Sequence, residues 1–197
     1  MIDHAATLRQ LDRHFDARRV AWALIGGLAV SVRTEPRFTR DIDLAVAVDS
    51  DRDAEAIIAS LTPTYRVVAL IEQEARERLA AVRLARAEAP CDDAVLDLMF
   101  ASSGIEAEVA SGADRIEVLP GVHAPVARRS HLIALKVLAR DDATRPQDLI
   151  DIRQLLASAN STEVGEAEAA LDLIAQRGFN RGKNLREDLA RVTRNSI

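Results

Sequence analysis

Two aspartates, Asp41 and Asp43, lie one residue apart at the start of an apolar run that continues to Val48. In an extended strand alternate side chains share a face, so both carboxylates would project to one side and Ile42 and Leu44 to the other. Neighbouring carboxylates repel each other unless a cation lies between them, and Mg²⁺ is a cation that carboxylate oxygens bind. The pair therefore predicts metal-assisted chemistry on a phosphate, and an exposed strand face is the alternative.

A third acid, Asp97, stands alone between Leu96 and Leu98 in the apolar segment 94–100. Phosphoryl transfer needs carboxylates that converge from adjacent strands, because divalent ions bridge protein oxygens and the phosphates of the nucleotide. We therefore expect Asp41, Asp43 and Asp97 to be the catalytic and metal-binding residues. Asp97 is also a candidate base for the proton of an attacking hydroxyl, although taken alone it could equally be a solvated strand residue.

A glycine pair, Gly26-Gly27, separates a predicted strand over 20–25 from a predicted helix that starts at Leu28. Glycines let the backbone approach a ligand closely, and the N-terminus of a helix offers unpaired N–H groups and partial positive charge. This arrangement suits a triphosphate. A tight turn with no ligand is the simpler interpretation of the same two residues.

The elements that must position these residues follow from hydrophobic periodicity and from capping and breaking residues. The segment 71–88 is ambiguous, and we interpret it as helix or loop to Glu77 followed by a strand. Together the elements predict an α+β (α/β) fold, a mixed sheet flanked by helices, with a catalytic core over 1–127 and a helical region over 128–197. Helices are predicted over 5–18, 28–32, 51–61, from 104, 130–140, 146–158, 162–177 and 184–194, and the other strands over 41–48, 65–70, 94–100, 115–119 and 123–126.

Composition narrows the function classes. With 197 residues, 48% hydrophobic and 29% charged, the chain has the values of one ordinary globular unit. A net charge of −5 gives no general attraction for polynucleotides. The basic stretch 177–194 is either a local nucleic-acid contact or a solvated helix face.

The cysteine and histidine content and the absence of long apolar windows predict the location of the protein and argue against a zinc site. Cys91 is the only cysteine, which excludes an intrachain disulfide and favours the cytosol. No signal peptide and no membrane-length apolar window is visible, so we expect a soluble, cytoplasmic protein with no membrane partner. The four histidines have no ligand spacing, which makes a zinc site improbable.

Several of these segments resemble known proteins. Gly26–Ala29, Arg37–Leu44 and the later Asp97 resemble the nucleotidyltransferase fold of the polymerase β type. More narrowly, 132–136 (LIALK) and 145–152 (RPQDLIDI) resemble the AbiEii/AbiGii toxin family of nucleotidyltransferases. The resemblance covers about residues 20 to 156, and it implies a nucleotidyltransferase-type mixed sheet.

The resemblance also implies roles for individual residues. Asp41, Asp43 and Asp97 would hold Mg²⁺, and Asp151 would position Lys136 or the substrate. From the residues alone, Lys136 could instead be a lysine that reaches solvent from an apolar helix face, and Asp148 a carboxylate favoured by the helix dipole. The nucleotide-binding residues would be Gly26, Gly27, Thr39, Lys136 and Asp148, with Arg37 and Thr39 either steering phosphate or bracing their loop.

Two departures from the family pattern bear on these expectations. Gly27 stands where many polymerase β relatives have serine, and the family's toxins are often longer than this chain.

The function implied by the resemblance is Mg²⁺-dependent transfer of a nucleoside monophosphate from an NTP to an acceptor hydroxyl. The acceptor would be an RNA 3′ end, such as that of tRNA, or a protein side chain, and the protein would be the toxin of a toxin–antitoxin or abortive-infection system with a cognate antitoxin. One alternative is a small-molecule transferase of the aminoglycoside type, against which the lack of a large acceptor domain argues. Another is a catalytically silent nucleotide-binding or interaction module, against which the three acids argue.

Overall fold

A mixed β-sheet forms the centre of the protein. The computed structural model describes residues 3–37, 39–73, 77–88 and 95–194, and of Val95 only the backbone. The strands are β1 (Trp22–Ile25), β2 (Ile42–Val46), β3 (Tyr65–Gln73), β4 (Arg78–Arg86), β5 (Val95–Met99), β6 (Asp114–Leu119) and β7 (Val122–Val126). They form one seven-stranded sheet in the order β3-β4-β5-β2-β1-β7-β6. The pairs β1–β7 and β2–β5 are parallel and the others antiparallel, which confirms the predicted mixed sheet.

Helices flank the sheet, and at least four of the eight described helices begin at a capping side chain or a proline. The side chains of Asp3, Ser50 and Asn160 accept hydrogen bonds from the first turns of α1, α3 and α7, and Pro146 opens α6. The described helices are α1 (His4–Asp16), α2 (Gly26–Arg33), α3 (Asp51–Leu61), α4 (Glu106–Ser111), α5 (Arg129–Ala139), α6 (Pro146–Ala157), α7 (Ser161–Gln176) and α8 (Leu185–Arg194).

The central strand β2 shows how the core and the polar face separate. Ile42, Leu44 and Val46 point into the core and are at most 1% exposed. Asp43, between them, is half-buried and faces the other side of the sheet. The alternation predicted from the sequence is therefore present, although Asp41 lies just before β2 rather than inside it.

The hairpin of β3 and β4 corrects one expectation. Residues 71–77 were predicted as helix or loop, but β3 continues to Gln73 and pairs with β4 through two register shifts. The ambiguity came from the glutamates and arginines that begin at Glu72, because they favour a helix by propensity, whereas pairing with β4 keeps this edge strand extended. The rest of the segment, 74–76, lies outside the described residues.

The C-terminal helices pack against the sheet domain through the same core. Leu132, Ile133 and Val137 of α5 and Leu185 of α8 belong to the apolar cluster that also contains Leu24. The boundary at residue 127 stays a prediction.

Two further expectations meet the structure only in part. Of the helices that the structure describes, none combines the length and apolarity needed to cross a bilayer. Cys91 and Ala94, on which the redox argument and the start of a strand rested, lie outside the described residues.

Candidate active site

The three acids singled out in the sequence line one cleft of about 580 Å³. Because β2 and β5 are parallel neighbours, Asp43 and Asp97 are direct partners in the register. Asp41 precedes β2 on the same side. The fold thus brings Asp41, Asp43 and Asp97 to one place, as the sequence predicted.

Asp43 carries the electrostatic signature of this arrangement. Burial, then the negative charges of Asp97 and Asp41, raise the pKa of Asp43 to about 6, and Lys136 and Arg145 offset this only in part. Asp43 therefore ionises less readily than an ordinary aspartate, because burial and the neighbouring carboxylates both disfavour its charged form.

Arg83 extends the row of charges by one strand. It lies on β4 directly opposite Asp97 in the antiparallel register. Its Nε donates to Asp97 Oδ1 at 3.0 Å and its Nη2 to Oδ2 at 2.7 Å, so the guanidinium holds both carboxylate oxygens. Asp97 in turn raises the pKa of Arg83. Arg83 was not predicted as a site residue, because in the sequence it is one of several alternating residues in an ambiguous segment.

The chemistry of these acids can be tested against a divalent cation. Within the described ranges, no three Asp, Glu, His or Cys side chains form a group arranged to hold a metal ion. Mg²⁺, however, is usually bound by one or two carboxylates and completes its shell with water and substrate phosphates. Asp41 and Asp43 offer such oxygens, and neither forms an ion pair with another described residue. The residues present therefore fit a cation that binds together with a nucleotide.

The glycine pair follows β1 directly and forms the first two residues of α2, so this helix begins at Gly26 rather than at Leu28 as predicted, and both glycines line the cleft. Gly26 has φ +65°, a conformation that favours glycine. A Cβ on Gly27 would lie 2.8 Å from Arg37 Nη2 and 3.1 Å from Thr39 Oγ1. A side chain at residue 27 would therefore require Arg37 or Thr39 to shift.

Lys136 is held in a buried ionic network rather than reaching solvent. Its Nζ lies 2.7 Å from Asp148 Oδ1 and 2.8 Å from Asp151 Oδ2. Arg145 pairs with Asp148 at 3.0 Å and Arg37 with Asp151 at 2.9 Å. The interpretation of Lys136 as a solvent-reaching lysine is thus wrong. Three cations share two carboxylates, which leaves this network with one net positive charge.

The two carboxylates of this network are buried. Asp148 is 2% exposed and Asp151 is 0% exposed. Burial alone would raise the pKa of Asp151, but hydrogen bonds from Gln147 and Lys136, with the charge of Lys136 and a bond from Arg37, hold that pKa below its usual value. Asp151 is therefore ionised and holds Lys136 and Arg37 in place. Asp148 also binds Lys136, so its role is not limited to a favourable interaction with the helix dipole.

Two arginines on the rim of the cleft were not predicted as site residues. Arg145 precedes α6, and Arg181 lies in the segment before α8, where its Nη2 donates to Ser102 O at 3.2 Å. Burial and then the charge of Arg145 lower the pKa of Arg181. Their position could not be read from the sequence, because it depends on how the last helices fold back over the sheet.

The rest of the basic stretch 177–194 makes contacts within the chain. Lys183 donates to the carbonyls of Leu138 and Arg140 at the end of α5. Arg186 pairs with Glu168 at 2.8 Å and Arg191 with Glu187 at 2.8 Å. These contacts agree with the interpretation as a helix face better than with a free basic patch.

The architecture is that of nucleotidyltransferases. A nucleotidyltransferase-like antigenic protein from Paracoccidioides brasiliensis matches with a TM-score of 0.55 at 18% identity over 96% of this chain and 91% of its own. The antibiotic-resistance factor ANT(2'')-Ia matches with a TM-score of 0.58 at 18% identity over 90% of this chain and 94% of its own. A second structure of ANT(2'')-Ia, in complex with adenylyl-2''-tobramycin, matches at 0.57 and 17% over 89% and 99%. Among curated proteins, none matches the sequence.

Residues 9–196 match the family described as "Nucleotidyl transferase AbiEii toxin, Type IV TA system", and the chain belongs to that family. It is therefore a nucleotidyltransferase, as the sequence motifs indicated.

Proposed function

We propose that the protein transfers a nucleoside monophosphate from an NTP to an acceptor hydroxyl in a Mg²⁺-dependent reaction. The observation that carries this proposal is the pairing of Asp43 with Asp97 on parallel neighbouring strands, with Asp41 beside them and a glycine turn at the end of β1. Family membership supports the reaction class.

In this proposal the acids and the cationic network have separate roles. Asp41 and Asp43 would hold Mg²⁺, with Asp97 as the third acid. When bound, the cation would neutralise charge on the phosphates and lower the pKa of the attacking hydroxyl. Gly26 and Gly27 let the nucleotide approach the first turn of α2, whose N–H groups favour an anion.

Lys136 would contact the phosphates from the opposite wall of the cleft. Asp148 and Asp151 orient its ammonium group, and the network retains one positive charge for the nucleotide. Thr39 lies beside Gly27 and can donate its hydroxyl to a phosphate oxygen. As the acceptor oxygen bonds to the α-phosphorus, its proton passes to a carboxylate of the site, for which Asp97 is the candidate base. The bond from that phosphorus to the bridging oxygen breaks, and pyrophosphate leaves.

The acceptor in this proposal is an RNA 3′ end, such as that of tRNA, or a protein side chain. Family membership supports a toxin role, and a toxin of this kind implies an antitoxin encoded with it. A cytoplasmic location agrees with that role.

A small-molecule acceptor is the second candidate. The sequence keeps it as an alternative, with the lack of a large acceptor domain as the feature against it. This chain matches ANT(2'')-Ia over 94% of the length of that protein, which was captured with adenylylated tobramycin, so the fold needs no additional domain for an aminoglycoside.

One experiment separates these candidates. Purified protein is incubated with each α-³²P-labelled NTP and Mg²⁺, and with total tRNA, a protein extract or a panel of aminoglycosides. We expect label on RNA or protein, and no label with Asp43→Asn. Label on an aminoglycoside alone would favour the second candidate. Tight NTP binding without pyrophosphate release would indicate a catalytically silent module and contradict the proposal.

A further inference from the structure

Arg83 binds the carboxylate of Asp97, which the proposed metal site needs. Its two nitrogens bind both oxygens of Asp97, at 3.0 and 2.7 Å. A two-point guanidinium–carboxylate contact is the strongest geometry for such a pair. In this state Asp97 has no oxygen that is not already shared with a cation.

The other two acids are in a different situation. Asp41 and Asp43 lie close enough to Arg83 to raise its pKa, yet they form no ion pair with it or with another described residue. Asp43 and Asp97 are direct register partners, so a cation shared by both would compete with the guanidinium for the Asp97 oxygens.

The side chain of Arg83 is exposed enough to move away from Asp97. Its side chain is 45% exposed, whereas that of Asp97 is 10% exposed. The guanidinium lies on the cleft wall formed by β4, near Ile71 of the edge strand β3. A flexible, half-exposed arginine can change rotamer at small cost, whereas the buried Asp97 stays fixed on its central strand.

We propose that Arg83 is a positioning residue that competes with the divalent cation for Asp97, so that the complete metal site forms only when Arg83 releases this carboxylate. The inference rests on the proposed function, because it assumes that Asp43 binds the cation. It predicts weak binding of the metal alone, since the guanidinium must first be displaced.

The test measures Mn²⁺ binding to nucleotide-free protein by electron paramagnetic resonance. We expect Arg83→Gln to tighten Mn²⁺ binding about tenfold, the worth of a charge-assisted hydrogen bond. Removing a positive charge would also tighten binding without any specific contact, so the same substitution is made in an Asp97→Asn background. Competition for Asp97 predicts that the gain disappears there. No gain in the wild-type background, or an equal gain in both, would overturn the inference.

Two further variants complete the design. Arg115→Gln removes an arginine that holds both oxygens of Asp12 on the surface, and it should leave Mn²⁺ binding unchanged. Asp43→Asn should abolish the binding. If Asp43→Asn binds Mn²⁺ like the wild type, the proposed metal site itself is wrong. If Asp43→Asn loses binding while Arg83→Gln changes nothing, only the role of Arg83 is wrong.

Discussion

The Asp43 carboxylate occupies the space that a side chain at residue 26 would need. A Cβ built on Gly26 would lie 1.9 Å from Asp43 Oδ2, well inside van der Waals contact. Gly26 also has φ +65°. The first residue of α2 and the central acid of β2 are therefore in direct contact, and the glycine is what allows Asp43 to point into the cleft.

Gly26→Ala should damage both the fold and the site. The left-handed conformation costs a non-glycine residue about 1–2 kcal/mol, and the overlap with Asp43 adds to it. We expect a loss of about 3 kcal/mol in the free energy of unfolding, measured in urea. Displacement of Asp43 by an ångström should slow nucleotide transfer about 100-fold.

Gly121→Ala is the matched control for this change. Gly121 has φ +70°, but a Cβ there would meet nothing within 4 Å. It should therefore carry only the conformational cost of about 1–2 kcal/mol and leave transfer unchanged. Equal effects of the two substitutions on stability and activity would refute the contact between Gly26 and Asp43 as the cause.

The pKa of Asp43 predicts an unusual dependence of stability on pH. Its folded-state value of about 6 lies above its ordinary 3.8, so the folded protein binds this proton more tightly than the unfolded chain. The stability that Asp43 contributes is then fully present below pH 3.8 and lost as the pH rises through about 6. Asp43→Asn does not ionise. Without metal at pH 7.5 it should be more stable than the wild type by about 2 kcal/mol, with the difference fading towards pH 4.

Thermal unfolding across this pH range checks the prediction. Addition of Mg²⁺ with NTP at pH 7.5 should stabilise the wild type and not Asp43→Asn, because the ligands bind only the folded state. If Asp43→Asn is less stable than the wild type at every pH, then ionisation of Asp43 does not destabilise the folded protein.

The acids and the Lys136 segment could be predicted from the sequence, whereas their partners could not. Alternation within an apolar strand is a local signal, and it is enough to give Asp41 and Asp43 a common face and to mark Asp97 as exceptional. The contact between Arg83 and Asp97 depends on the register between β4 and β5, which no local pattern encodes.

The other contacts that could not be predicted from the sequence depend on packing between elements far apart in the chain. The ion pairs of Lys136 with Asp148 and Asp151 depend on how α5 and α6 pack, and Arg181 reaches the cleft only because the last helices fold back over the sheet. Strand β3 was predicted too short because the charged residues that begin at Glu72 favour a helix locally, and pairing with β4 overrides that preference.

Asp151→Asn tests the buried network that orients Lys136. Asp151 binds Lys136 and Arg37, so its loss leaves two cations with one partner fewer in a buried place. We expect a loss of about 3 kcal/mol in unfolding free energy. Because Lys136 would be misplaced, KM for the NTP should rise more than kcat falls.

Glu168→Gln provides the comparison for this network. It breaks the exposed pair with Arg186, and exposed pairs contribute less than about 1 kcal/mol. A cost for Asp151→Asn that is no larger than that of Glu168→Gln would show that the Lys136 network is not a structural anchor.

The most direct test of the central claim is Mg²⁺-dependent pyrophosphate release by the wild type and by Asp43→Asn, with Asp12→Asn as a surface control and circular dichroism as a check of folding. The account predicts that chelation of the metal abolishes release, that Asp43→Asn lowers it at least about 1,000-fold, and that Asp12→Asn leaves it unchanged. A folded Asp43→Asn protein that releases pyrophosphate at the rate of the wild type would contradict the assignment of this cleft as the active site.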